Sequence, residues 1–196
     1  MSMARLWPLF WQSLATPREI GAWLIGLGLG REVLLLAFGL VLVLQTAFMT
    51  TLVTLVDPET MPIPLLRQPL VFMLGLGGML ALFAVLLTWA GRMAGGTAQL
   101  EEMGLLLIWL QGLRLALQLA VLVLSFALPA LSPLLLMAGT ALSFWILVNF
   151  VAAAHRFDGL GRALLVLVMA AFGLAMGISI LLGMIGATTL GMNGYV

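Results

Sequence analysis

The stretch that decides the fold runs from 103 to 154: MGLLLIWLQGLRLALQLAVLVLSFALPALSPLLLMAGTALSFWILVNFVAAA. It holds one charge, Arg114, and is far too long for a single bilayer crossing, since ~30 Å of hydrocarbon takes about 20 helical residues. The chain must therefore turn inside it. Pro129 and Pro133 mark the turn, because proline has no N–H to donate and biases the residue before it away from helix. Two antiparallel spans are predicted, about 103–128 and 134–154, joined by the tight Pro-Ala-Leu-Ser-Pro segment.

Outward from this pair, three more charge-free intervals are long enough to cross. They are 33–56 between Glu32 and Asp57, 68–91 between Arg67 and Arg92, and a span of about 163–187 after Arg162. Composition agrees. The 196 residues are 64% hydrophobic and 8% charged, whereas a soluble domain is about half apolar and about a quarter charged. A chain of this size buries only about 70% of its surface, so the apolar excess must face lipid. The expected fold class is all-α: a polytopic membrane protein with a five-transmembrane-helix bundle over 31–196.

Residues 1–30 are expected to form an N-terminal interfacial helical segment. Trp7, Phe10, Trp11 and Leu14 make one aromatic-rich apolar face, and Thr16-Pro17-Arg18-Glu19 reads as a helix start. There threonine would cap, proline would take the first helical position and glutamate would close a capping box. Trp23 and Leu24 would hold this second short helix against headgroups. Arg18, Glu19, Arg31 and Glu32 break the apolar stretch, so a cleavable signal is not expected.

Arginine placement predicts orientation. With five spans and a cytoplasmic start, Arg5, Arg18, Arg31, Arg92, Arg156 and Arg162 fall inside, and Arg67 and the C-terminus fall outside. The protein is thus expected to be a multi-pass protein of a bacterial cytoplasmic (inner) membrane, in contact with membrane lipids.

Several chemistries are not expected. Eight arginines, no lysine and seven acids give no broad basic face for nucleic acid, and the lack of cysteine removes thiolate chemistry and disulfides. His155 has only Asp158 for company as a metal ligand, and it reads as part of a charged membrane boundary with Asp158 and Gly159 in the turn. Ser13, Ser125, Ser132, Ser143 and Ser179 lie in no nucleophile motif. Gly26, Gly28 and Gly30 lack the strand and the Lys-Ser or Lys-Thr of a phosphate loop, and Gly95-Gly96 reads as a turn. No catalytic, cofactor-binding or metal-binding residue is nominated, and no enzyme is expected.

The polar residues within the spans are the candidates for function. Gln111, Arg114 and Gln118 fall on one stripe of the third span, with no acid of the chain at comparable depth. Carbonyls, a lipid headgroup reached by snorkelling, an anionic ligand or a partner subunit could each answer Arg114. Gln45, Thr46, Thr50 and Thr54 form a second polar stripe, and Ser143 and Asn149 add polar atoms to the fourth span. Gly75, Gly77 and Gly78, then Gly173 with Gly177, and Gly183 with Ala187 have the small-residue spacing of close helix packing.

The run Gly91-Arg92-Met93-Ala94-Gly95-Gly96-Thr97-Ala98-Gln99-Leu100-Glu101-Glu102, followed by Ile108-Trp109-Leu110-Gln111, resembles the glycine-containing cytoplasmic connection of the Yip membrane-domain family. Ala153-Ala154-His155-Arg156-Phe157-Asp158-Gly159-Leu160-Gly161-Arg162-Ala163-Leu164 is similar to the connection before that family's fifth span. The resemblance, closest to the short bacterial members, covers about 16–187. It implies a non-enzymatic membrane scaffold or accessory subunit, as a homo-oligomer or within a membrane-protein complex. The Asp-Leu-Tyr-Gly-Pro motif of many eukaryotic members is not present, so a GTPase partner is not expected. The alternative is a transporter or channel for a small solute, ion or lipid that uses the Gln111-Arg114-Gln118 stripe.

Overall fold

Two short helices precede five long ones in the computed structural model, which describes residues 6–55 and 68–189 and the side chains of 8–53, 68–180 and 183. The short helices are α1 (Leu6–Ala15) and α2 (Pro17–Gly26). The long ones are α3 (Arg31–Leu55), α4 (Pro69–Met93), α5 (Leu100–Ala127), α6 (Ser132–His155) and α7 (Leu160–Thr189). All five are long and apolar enough to cross a membrane. Each matches an expected span to within a few residues. The sequence expectations for Trp7, Thr54, the 57–67 connection, Ala187 and the C-terminus fall outside the described residues or side chains.

Prolines and short connections set the helix ends. Pro17, Pro69 and Pro133 sit in the first turns of α2, α4 and α6, where a missing N–H costs nothing. The α5–α6 turn spans only 128–131, with the Leu131 N–H on the Leu128 carbonyl. The α2 start departs from expectation. Thr16 makes no side-chain cap, and its hydroxyl bonds the Gln12 carbonyl of the preceding turn, at 3.4 Å. That local acceptor competes with the cap because a threonine hydroxyl reaches back four residues as easily as forward.

The long helices form a ring in the order α3, α5, α6, α7, α4, with α4 and α5 also touching across it. Ion pairs and short connections bring the starts of α3, α5 and α7 and the ends of α4 and α6 to one end, here termed the basic end. Arg18, Arg31, Arg92, Arg156 and Arg162 all lie there. α1 and α2 dock against α5 and α6 beside it. Pro17, Ile20, Gly21 and Leu24 of α2 are buried, while Trp11 and Trp23 point outward. A Cβ on Gly21 would lie 3.1 Å from the Ala153 Cβ, so α2 lies closely on α6.

Burial is lopsided. In α5 the buried side chains run from Met103 to Leu113 and none follows. In α6 they begin at Ile146, apart from Gly139. α7 contributes Ala163, Val166, Leu167 and Ala170, and α4 contributes Ala84 to Gly91 with Gly77. The core therefore fills the half nearest the basic end. Beyond it the helices present Val123, Phe126, Met137 and Phe172 outward.

Candidate functional site

The basic end is held by two helix terminations of the same design. At the end of α4, the Gly96 N–H reaches the Gly91 carbonyl (2.8 Å) and the Gly95 N–H reaches that of Arg92 (3.0 Å), with Gly95 at φ +84°. At the end of α6, the Phe157 N–H reaches Ala152 (3.0 Å) and the Arg156 N–H reaches Ala153 (3.2 Å), with Arg156 at φ +57°. Both are Schellman motifs, in which a left-handed residue lets two N–H groups satisfy carbonyls of the last turn. Glycine fills this position in the first and arginine in the second.

His155 locks the two together. It is 1% exposed, with Nε2 at 3.2 Å from the Leu87 carbonyl and Nδ1 accepting the Ala98 N–H at 3.4 Å. Donating from Nε2 and accepting at Nδ1 requires the neutral Nε2–H tautomer. Gly91 and Gly96 form the cradle, because a Cβ on either would overlap the imidazole. Phe157 stacks on the ring at 5.3 Å between centroids. Arg156 adds a forked pair to Glu102, whose other bond accepts the Gln99 N–H at 2.9 Å. The Glu102 carboxylate raises the Arg156 pKa through that bond. Arg92 donates to the Ala98 carbonyl at 3.2 Å.

The outer helices are clipped on at the same level. Arg18 of α2 donates to the carbonyls of Phe157 and Asp158, and Arg31 of α3 pairs with Glu101 at 2.7 Å. Deeper in, the indole N–H of Trp109 donates to Ser13 Oγ at 3.0 Å, which ties α1 to α5. Between α3, α4 and α5, a largely apolar cavity of about 510 Å³ has Arg31 and Glu101 at one edge.

The expected intramembrane stripe divides between two faces. Gln111 is buried toward α3, where Gln45 donates to its backbone carbonyl at 3.5 Å. Arg114 is exposed and lines a cleft of about 220 Å³ between α5 and α6 with Gln118, Thr140 and Ser143. Gln111 does not line that cleft. The buried Gln118 Oε1 and Thr46 Oγ1 have no hydrogen-bond partner among the described residues.

The small residues also divide. Gly173 receives Leu86 of α4, and Gly77 receives Leu42 of α3. A Cβ on Gly75, Gly78, Gly177 or Gly183 would meet open space. Gly91, Gly96 and Gly139, which the small-residue spacing did not single out, are the ones in closest contact.

Sequence reading missed His155 as the centre of this end. The available signal was a lone histidine in one connection and a Gly-x₃-Gly-Gly run in the other; the contact that joins them is tertiary. Among the described residues, no three histidines or acids are grouped to hold a metal ion. No family model, curated protein or solved structure matches this chain.

Proposed function

We propose that this chain is a membrane scaffold or accessory subunit of the Yip-like type, without enzymatic activity. Its N-terminus would lie in the cytoplasm of a bacterial inner membrane. The observation that carries this reading is the junction at His155. It joins the two connections on which the resemblance rests, through the Ala98 and Leu87 bonds and the Arg156–Glu102 pair. Arg18, Arg31, Arg92, Arg156 and His155 of the basic end are engaged within the chain, which suits a rigid platform. The opposite half leaves long helix faces free for other membrane proteins. Five arginines at one end of the described bundle favour that end as the cytoplasmic one.

The transporter alternative rests on the cleft at Arg114. Its weakness is that Gln111 lies elsewhere, so the three side chains line no common path.

Copurification from native membranes tests the proposal. A stable stoichiometric membrane partner, with no solute flux in reconstituted vesicles, is the expected result. A lone chain that carries flux would replace scaffold with transporter. Reporter fusions in the 57–67 and 92–102 connections should give opposite sides, and same-side signals would reject the topology.

A further inference from the structure

Arg114 lies near the middle of α5, about 20 Å of helix from either end. It is exposed and has no hydrogen bond or ion pair among the described residues. A charge at that depth costs about 2.5–3.5 kcal/mol on insertion scales, so such residues are normally paired or face a polar cavity. No acid among the described residues can supply the pair. Glu32, Glu101 and Glu102 stand in the first turns of their helices, Glu19 lies in α2, and Asp158 lies in a connection. A second copy brings the same described acids at the same depths, and they fail for the same reason.

The surroundings describe what is missing. Thr140 and Ser143 turn their hydroxyl protons onto carbonyls of their own helix, each at 2.7 Å. One turn along α5 from Arg114, the buried Gln118 Oε1 lacks a donor among the described residues. A buried acceptor without a donor costs about 1–3 kcal/mol. On both sides of the cleft, Leu119, Val123, Met137 and Phe144 are exposed, and the core does not extend here. The face thus combines a cation, an unfilled acceptor and an apolar surround, all at mid-depth.

We propose that the α5–α6 face at Arg114 docks a transmembrane helix of a different protein, one that carries an Asp or Glu at mid-depth and a hydroxyl or amide donor about one turn away. The inference rests on the accessory-subunit reading and gives that partner its chemistry. The carboxylate accepts the guanidinium fork, and the donor satisfies Gln118.

A benzophenone amino acid in place of Phe144 tests this in native membranes. The expected result is an adduct with one other membrane protein that has a mid-span acid. Arg114→Leu should lower adduct yield about tenfold or more, since stranding one member of a buried pair costs more than the 1.4 kcal/mol that tenfold represents. Arg114→Lys should recover only part of the yield, because lysine lacks the planar fork. Exchanging the charges, with Arg114→Glu against an arginine at the partner's acid, should restore the adduct. An adduct with lipid alone, one of twice this chain's mass, unchanged yield in Arg114→Leu, or a failed exchange would each overturn the proposal. Purified Arg114→Leu should melt at or above the wild-type temperature; a clear fall would make the residue part of the fold and also sink the inference. A stable partner whose recovery ignores Arg114 defeats this inference alone, whereas finding no partner defeats the subunit reading.

Discussion

The half of the bundle at the basic end and the half beyond Leu113 draw on the same apolar residues, yet among the described residues only the first has a core. Near the basic end, α4, α5, α6 and α7 bury a continuous set from Ala84 and Leu87 through Met103, Leu106, Phe150 and Val151 to Val166. Beyond it, Val123, Met137 and Phe172 are each about two-thirds exposed or more. In lipid an exposed leucine carries little penalty, so hydrophobicity does not by itself draw helices together. Small residues and polar clips do, and among the described residues this protein concentrates its inter-helix polar clips at one end. His155, the Gly91–Gly96 cradle and the Arg156–Glu102 pair have no counterpart among the described residues of the other half.

The strongest way to break this contrast is Gly91→Ala. A Cβ there overlaps the His155 ring, which is fixed by two hydrogen bonds and a stacked phenylalanine. Overpacking of this kind costs about 3 kcal/mol, well above the ~1 kcal/mol alanine gains in helix propensity. Thermal unfolding in a fixed detergent or lipid should show a large drop in Tm. A neutral result would mean that the histidine does not lock the connections.

His155→Leu should follow at about 2 kcal/mol. It keeps an apolar volume but leaves the buried Ala98 N–H without its acceptor. His155→Gln restores an acceptor and a donor, and it should regain a measurable part of the loss. Equal losses in Leu and Gln would point to ring packing against Phe157 rather than to hydrogen bonding.

Arg156 gives a smaller test through an ordering. At φ +57° a side chain costs about 1 kcal/mol that glycine avoids, while its half-exposed pair with Glu102 contributes about 0–1 kcal/mol. Arg156→Ala loses the pair and keeps the strain, so it should destabilise by up to about 1 kcal/mol. Arg156→Gly loses both and should lie within about 0.5 kcal/mol of wild type. A glycine variant less stable than the alanine one would show that the Schellman geometry carries no strain.

Span number and position were legible in the sequence because charge-free length and proline report directly on what a bilayer admits. Pro129 lies within the α5–α6 turn that the structure shows at 128–131, and Pro133 lies in the first turn of α6. The His155 site was not legible, because its partners, Leu87 and Ala98, are an ordinary leucine and alanine that act through their backbones. Glycine spacing leaves contacts within the chain open for a related reason. A small-xxx-small pair shows that a backbone can approach closely, and only the neighbouring helix decides whether it does. Gly173 has Leu86 opposite, whereas Gly177, one turn on, has open space. Gln111 and Arg114 share a stripe in projection, yet the 60° between them is enough to put one against α3 and the other in the α5–α6 cleft.

The smallest effects should come from the open half, where they sharpen the comparison. In the isolated chain, Gly75→Ala, Gly78→Ala and Gly177→Ala place a methyl in open space, and each should change stability by no more than about 0.5–1 kcal/mol, in the favourable direction. Phe172→Ala, at 69% exposure, removes side-chain atoms that face lipid rather than a neighbour and should also be near neutral. The same substitutions need not be neutral for assembly. If the open half is where another membrane protein packs, a methyl on Gly75 or Gly177 fills the space that lets a helix approach, so partner recovery should fall while Tm holds. Measuring both quantities on the same variants separates two readings of an exposed glycine. Loss of recovery at constant Tm makes these glycines an interface, whereas constancy of both restricts docking to the Arg114 cleft. A fall in Tm for the purified chain would mean that the far half packs more tightly than its exposed faces indicate.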